Sequence, residues 1–367
     1  MMKCSKLGRR TSVAIALAIT AVACVQTPDT TYEFALLGDN PYPPENVLKF
    51  EALIDDVNAR PDLQWVLHVG DIQGGQPCTN ELFQSRFDLY QRFDFPFVYT
   101  PGDNDWFDCV RETMGGYDEY ERLDLLRSVF FPEPTRTTGG RSMPVRSQGA
   151  EPDYADFVEN VMWTHGDVVY STVHLVGLTR PPTDPAIGEH RMDAAVAWIR
   201  TTFEVARENN NAAVFIATQA DPWIVWGLPP LVRRECPTCL DPRPGLGPLY
   251  SVLLEQATAF DGPVVLAVGD THIFRVDKPL YRADGSLVEN FTRVETFGNP
   301  LVHWVRVTVD PREGQVFTFH QELVPQRRSM KESVKAGLRP CWMRSRFRLG
   351  TQPLGWISQI VRERSIG

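Results

Sequence analysis

Four short apolar runs along the chain end in the dipeptide Gly-Asp, and each has the length of a buried strand. The runs are 34–39, 65–71, 97–103 and 264–270. Apolar residues recur at helical spacing in the stretches that separate the first three runs, 47–60 and 81–93. Strand, helix, strand, helix, strand in this order predicts two consecutive βαβ units and a parallel sheet.

Shorter signals complete the predicted α/β architecture. A fifth Gly-Asp pair, at 166–167, lies between two apolar stretches and predicts a hairpin turn. Three strand-like stretches near the end of the body predict the second sheet of a two-sheet sandwich. They are 291–297, 301–309 and 315–323. Two long stretches that contain Pro and Gly, 177–191 and 222–247, predict loops around a substrate entrance.

The four aspartates that end the apolar runs are expected to meet. Open α/β sheets place their chemistry at the carboxyl ends of the strands, and a preceding glycine lets the backbone turn sharply there. Carboxylates crowded in this way raise one another's pKa unless cations neutralise them. Two divalent ions match the charge of four carboxylates, and such pairs activate water for the hydrolysis of phosphate esters.

Composition and charge support a cation-binding globular protein. With 43% apolar and 23% charged residues, the chain is neither collagen-like, coiled-coil, disordered nor a multi-span membrane protein. Residues 1–24 carry four basic and no acidic side chains, and 326–367 carry ten basic and two acidic ones. Of 37 basic and 46 acidic residues, 23 and 44 remain in 25–325, a net charge of −21. We therefore expect no nucleic-acid-binding surface.

The first 24 residues have the pattern of a cleavable bacterial export signal. Basic residues precede an apolar stretch that ends in Ala-Val-Ala-Cys, which resembles a lipobox and predicts lipidation of Cys24. The alternative is ordinary cleavage after Ala23 with a free Cys24. We expect a protein of the cell envelope or periplasm that contacts the membrane only through this anchor. The basic tail 326–367 is expected to be disordered or to contact anionic lipid or the acidic body.

If the protein is exported, pairs of its other cysteines are expected to form disulfides. In an oxidising compartment Cys78 and Cys109 are expected to form a disulfide between two loops. Cys236 and Cys239 are expected to close a small loop in the same way, since a zinc site normally needs a second pair or histidines.

With these strand-end aspartates, the chain resembles the calcineurin-like metallophosphoesterase superfamily over about 31–325. That family has the motif order Asp-x-His, Gly-Asp, Gly-Asn-His-Asp/Glu, a later His after a strand, and Gly-His-x-His. The corresponding segments here begin at Gly38, Gly70, Gly102, Ala217 and Gly269. The resemblance implies a four-layer α/β/β/α sandwich of two mixed sheets.

At several metal-ligand positions of the family, this chain has a different residue type. Pro41 stands where a histidine is usual, and Asp103 stands where an asparagine is usual. Asn104, Gln219 and Asp270 each stand in place of a histidine. The ligating positions that remain polar thus offer oxygen instead of nitrogen, which suits Mn, Mg, Ca or Fe ions better than Zn.

The resemblance implies a role for each matching residue. Asp71 bridges two cations, Asp39 and His272 bind one of them, and Asp103, Gln219 and Asp270 bind the other. If the third motif is aligned with the family pattern one residue later, Asn104 is the ligand instead of Asp103. Asn104 and His272 are the predicted catalytic residues. Three neighbours, Asn40, Tyr42 and Asp105, are expected to hold substrate or to orient the ligands.

The expected function is hydrolysis of a phosphate mono- or diester by attack of a metal-bound hydroxide, with a small phosphorylated substrate. Loss of a histidine at position 104 favours leaving groups of low pKa, such as aryl esters. The alternative is a non-catalytic metal- or ligand-binding envelope protein on the same fold. A metal-independent sugar hydrolase based on two carboxylates is a third reading. The sequence leaves the substrate and the oligomeric state open.

Overall fold

The computed structural model describes residues 31–42, 44–177, 182–226, 233–235 and 245–325. The predictions for the signal at 1–24, for Cys236 and Cys239, and for the tail 326–367 lie outside these residues. Among the described helices, none combines the length and apolar character needed to cross a bilayer.

The first sheet contains the predicted βαβ units. Its strands are β1 (Tyr32–Leu37), β2 (Leu63–His68), β3 (Pro96–Tyr99), β4 (Thr138–Gly139), β14 (Trp304–Val309) and β15 (Phe317–Glu322). They are ordered β15-β14-β1-β2-β3-β4. Strands β1, β2 and β3 are parallel, as predicted, while β14 and β4 pair antiparallel at either side.

The second sheet has seven strands. They are β5 (Arg146–Ser147), β6 (Val161–His165), β7 (Val168–Thr172), β8 (Ala213–Ala217), β11 (Val264–Val268), β12 (Arg275–Asp277) and β13 (Phe291–Glu295), in the order β12-β13-β11-β8-β7-β6-β5. Strands β7, β8, β11 and β13 are parallel. The turn at 166–167 joins β6 to β7 as the predicted hairpin. Strands β9 (Ile224–Trp226) and β10 (Arg233–Glu235) form a separate antiparallel pair.

The prediction that the strand-rich end forms the second sheet by itself is wrong. Only β13 joins the second sheet, where it lies parallel to β11. Strands β14 and β15 instead extend the first sheet beyond β1. The three stretches look alike locally, and their partners are set by pairing with strands that are far away in sequence.

Five helices in the described residues cover the outer faces of the sheets. They are α1 (Pro44–Asn58), α2 (Asn80–Tyr90), α3 (Glu119–Phe130), α4 (Pro185–Glu208) and α5 (Gly247–Thr258). The side chains of Thr79, Asp118 and Asp184 cap the N-termini of α2, α3 and α4 by accepting backbone N–H groups. Helix α4 begins inside the stretch 177–191, so this stretch is not wholly a loop.

Three apolar clusters define the four layers. Helices α1 to α3 pack on the first sheet, and helices α4 and α5 pack on the second. The third cluster fills the space between the sheets, where Phe34 stacks on Trp65 at 5.1 Å and meets Phe215 edge-on at 5.3 Å. The protein is therefore an α/β sandwich of two mixed sheets, and the parallel strands of each sheet end at a common rim.

Cys78 and Cys109 form the predicted disulfide, with their Cα atoms 5.8 Å apart. It joins the segment after β2 to a 3₁₀ turn, Phe107–Val110, that follows β3. Both sulfur atoms lie 3.9 Å from the carbonyl oxygen of Asn104. The bond thus ties together the two segments that carry Asp71 and Asn104.

Candidate functional site

Three of the Gly-Asp aspartates sit in left-handed backbone conformations directly after their strands. The φ angles are +51° at Asp39, +57° at Asp71 and +76° at Asp270, and His272 follows with +66°. Non-glycine residues rarely adopt this region, although Asp and Asn tolerate it better than most. Such strain is typical of functional sites, where the surrounding fold holds a side chain in place.

The glycines of this site make room for the carboxylates. A Cβ atom at Gly102 would lie 1.9 Å from Oδ1 of Asp71, and one at Gly269 would lie 2.6 Å from Oδ2 of Asp39. Both distances are far below contact distance, so each carboxylate rests directly against a glycine backbone. Any side chain at these glycines must displace the aspartate.

The hydroxyl group of Tyr42 lies at the point where the predicted ligands of the first cation meet. It donates to Oδ2 of Asp71 at 2.9 Å and lies 3.4 Å from Oδ1 of Asp39 and 3.2 Å from Nε2 of His272. All of these side chains except that of His272 are buried. Two carboxylates and an imidazole, from segments that follow β1, β2 and β11, thus surround one oxygen atom.

The ring of His272 is oriented by the backbone. Its Nδ1 lies 2.7 Å from the carbonyl oxygen of Asn299, and because a carbonyl only accepts, Nδ1 carries the proton. Its Nε2 points into the cluster, 3.2 Å from the Tyr42 hydroxyl and 3.6 Å from Oδ1 of Asp39. Glu295 holds the same turn by accepting from the Thr271 hydroxyl and, at 3.1 Å, from the N–H of Ile273.

Two amide side chains face the Asp71 carboxylate from other directions. Nδ2 of Asn104 lies 3.2 Å and Nε2 of Gln219 lies 3.3 Å from Oδ2 of Asp71. Nε2 of Gln219 also lies 3.4 Å from Oδ1 of Asp103, and its Oε1 accepts the N–H of Gly177 at 3.0 Å. Gln219 therefore presents hydrogen-bond donors to the carboxylates, which differs from the expected binding of a cation through its oxygen.

Asp105 and Asn40 have structural partners. Asp105 accepts the backbone N–H groups of Asp71, Ile72 and Gly102 at 2.7–3.0 Å, together with the Tyr99 hydroxyl at 2.6 Å. Its carboxylate thereby fixes the turn that carries Asp71. Nδ2 of Asn40 donates to the carbonyl groups of Gly38 and Leu301.

The electrostatics of the site favour added positive charge. Burial raises the pKa of Asp71 well above its usual range, and the nearby carboxylates of Asp103 and Asp105 raise it further. Burial also raises the pKa of Asp39, to which the charge of Asp270 contributes, while the backbone N–H of Asp270 opposes the shift. The four aspartates are therefore close enough to repel one another, and a cation would relieve this repulsion.

The donor set fits a hard divalent ion chemically, although its spacing is wide. Oδ2 of Asp39 is buried and has no hydrogen-bond partner, which leaves one carboxylate oxygen ready for a cation. Protein oxygens bind Mg²⁺ or Ca²⁺ at about 2.0–2.6 Å, closer than the distances around the Tyr42 hydroxyl. In the part of the chain that the structure describes, no three His, Cys, Asp or Glu side chains stand at the spacing of a metal site.

Sequence reasoning missed the residues that orient the site through the backbone. The carbonyl of Asn299, the N–H of Gly177 and the carboxylate of Glu295 all come from segments without a recognised motif. The sequence did contain one signal, since Glu295 is an acidic residue near the end of the strand-like stretch 291–297.

Comparison with known proteins does not identify a family for this chain. No protein-family model matches the chain, and no curated protein matches it. Among solved structures it is similar to one described as "GAP50 the anchor in the inner membrane complex of Plasmodium", with a TM-score of 0.43 and 10% sequence identity. The alignment covers 85% of this chain and 96% of that one. A likeness this distant carries no argument about this chain.

Proposed function

We propose that this protein is a divalent-cation-dependent hydrolase of phosphate esters. One observation carries the proposal: Asp39, Asp71 and His272, from three separate strand ends, all lie within 3.4 Å of one oxygen atom, the hydroxyl of Tyr42. The carboxylates at this point are buried and raise one another's pKa, so the fold maintains a costly cluster of negative charge. The motif order that resembles the metallophosphoesterase superfamily assigns the same residues.

The chain's own residues have distinct parts in this proposal. Asp39, Asp71 and His272 hold a first cation, and Asp103 and Asp270 contribute to a second. Bound cations supply Lewis acidity and the activation of water. Asn104 is fixed near Asp71 by its backbone N–H, which donates to Oδ1 at 3.2 Å. Its side-chain amide can then donate to a phosphoryl oxygen, which stabilises negative charge but cannot protonate a leaving group.

Metal content and turnover test the proposal together. Purified protein exchanged into Mn²⁺ is expected to retain two ions per chain after desalting and to hydrolyse a generic aryl phosphate. Asp71→Asn is expected to lose both properties, while its backbone is preserved because Asn tolerates the left-handed conformation. The control is Asp124→Asn, the same change at an exposed carboxylate. Activity that survives chelation and the Asp71 change would reject the proposal.

A specific observation favours the second candidate, a non-catalytic binding protein. The Tyr42 hydroxyl and the Gln219 amide donate hydrogen bonds into the cluster, and such donors can replace cations in satisfying buried carboxylates. This candidate is expected to retain no Mn²⁺ and to show no phosphatase activity. It also predicts that Asp71→Asn leaves the unfolding temperature unchanged or raises it, since one buried charge is removed.

We also propose that the protein acts in the bacterial cell envelope through a lipid on Cys24. The buried disulfide between Cys78 and Cys109 supports an oxidising compartment. Mass spectrometry of the mature N-terminus is expected to show a diacylglyceryl group on Cys24, and Cys24→Ser is expected to release the protein from membranes. An unmodified N-terminus at Cys24 would reject the anchor.

A further inference from the structure

An apolar pocket of about 360 Å³ lies at the same end of the sandwich as the carboxylate cluster. Its walls come from the segments that follow β3 and β7, from the start of α4 and from the residues before α5. The wall residues used below are Trp106, Phe107, Tyr120, Val176, Ile187 and Met192. Its size and apolar lining fall within the range of small-molecule sites, about 300–1,000 Å³.

Two residues in the walls of the pocket are close in sequence to residues of the candidate site. Trp106 lies two positions after Asn104, whose amide faces Asp71. Val176 precedes Gly177, whose N–H holds the Gln219 side chain at 3.0 Å. The pocket and the cluster are therefore joined through short chain segments on both sheets.

The aromatic wall is held rigidly from behind. Trp106, Phe107 and Val176 form a small apolar cluster that is separate from the three large ones, and Tyr120 packs against it. Nε1 of Trp106 donates to Nε2 of His174 at 3.0 Å. The guanidinium of Arg191 lies 4.8 Å from the Trp106 ring.

The polar groups behind the wall are occupied with one another. Nδ1 of His174 lies 2.7 Å from Oε1 of Glu159, and Arg127 binds the same carboxylate at 2.8 Å. Arg191 lies 3.6 Å from Glu159. The positive charges near the pocket are thus paired with a buried carboxylate, and what faces the pocket is mainly aromatic and aliphatic. Such a surface binds an uncharged planar group better than a sugar or a second phosphate.

We propose that this pocket binds the aryl group of a phosphate ester whose phosphoryl group lies at the carboxylate cluster. The inference rests on the proposed phosphoesterase function and names its substrate class. An aryl oxide leaves without protonation, which matches a site where Asn104 has no proton to give.

Binding of 2-naphthol, measured by isothermal titration calorimetry, tests the pocket without requiring hydrolysis. Ile187 is 38% exposed at the start of α4, so Ile187→Trp can fill the pocket with little effect on the core. This variant is expected to weaken binding of 2-naphthol at least tenfold, and Met192→Trp should do the same. The matched control is Leu323→Trp at an exposed site after β15, which should bind like the wild type. Asp71→Asn should also bind 2-naphthol normally.

Turnover then tests the link between the pocket and the cluster. Ile187→Trp is expected to raise KM for 2-naphthyl phosphate at least tenfold, whereas Leu323→Trp leaves it unchanged. No binding of 2-naphthol by the wild type, equal binding by Ile187→Trp, or lost binding with an unchanged KM would each overturn the inference. If no phosphate ester is hydrolysed but 2-naphthol binding depends on Ile187, the proposed function fails and the aryl site stands.

Discussion

The disulfide between Cys78 and Cys109 gives a prediction whose size follows from the structure. The two cysteines are 31 residues apart, and closing a loop of that length in the unfolded chain is worth about 3.7 kcal/mol by the chain-entropy relation. Replacing both with alanine should therefore lower the free energy of unfolding by about 3.7 kcal/mol. The unfolding temperature should fall by roughly 6 °C, since a folded body of about 300 residues has an unfolding entropy of about 0.6 kcal/mol/K.

Urea denaturation followed by circular dichroism measures this loss. Each single variant, Cys78→Ala or Cys109→Ala, should lose about as much as the double variant, because either change breaks the same bond. Reduced wild-type protein should show a similar loss. Additive losses in the two single variants, or a loss below about 1 kcal/mol in the double variant, would refute the reasoning. Cation affinity should fall in parallel, since the bond joins the segments that carry Asp71 and Asn104.

Three further predictions concern the site and its surroundings. Gly102→Ala should abolish Mn²⁺ retention, because its Cβ would lie 1.9 Å from Oδ1 of Asp71. Metal analysis checks this against Gly314→Ala, a glycine with open space around it. Tyr42→Phe should destabilise the metal-free protein by about 1–3 kcal/mol by removing the hydroxyl that donates to the buried Asp71 carboxylate at 2.9 Å, and added Mn²⁺ should reverse this loss in thermal unfolding. Burial lowers the pKa of His68 from 6.5 to about 4, so the unfolded chain takes up the proton first as the pH falls. The contribution of His68 to stability at pH 7 should therefore decrease by about 2 kcal/mol by pH 5, and His68→Gln should show a shallower pH dependence in urea denaturation.

Local pattern was enough to predict the central strands and the meeting of the aspartates. Each Gly-Asp pair ends a buried run, and parallel strands bring such ends to one rim, so Asp39, Asp71 and Asp270 were found from sequence alone. The division of the last strands between two sheets was not predictable in this way. Strands β13 and β14 have similar composition, and only their distant partners distinguish them.

The details inside the site were also beyond local pattern. The position of the Tyr42 hydroxyl among groups from three strand ends depends on the packing of segments more than 200 residues apart. The orientation of Gln219 depends on one backbone N–H, that of Gly177. A residue type predicts what a side chain can offer, whereas the fold decides which of its atoms faces inward.

The pairing of β1 has a consequence for how the protein is made. Tyr32 to Leu36 lie opposite Val309 to Val305, so the first strand of the sandwich is completed on one side by one of the last. A ribosome that has reached α5 leaves β1 with its backbone groups unpaired along that side, since β14 does not yet exist. Translation must therefore continue to about residue 309 before the first sheet can close, and a stop codon shortly before that point would release a chain with an open strand edge.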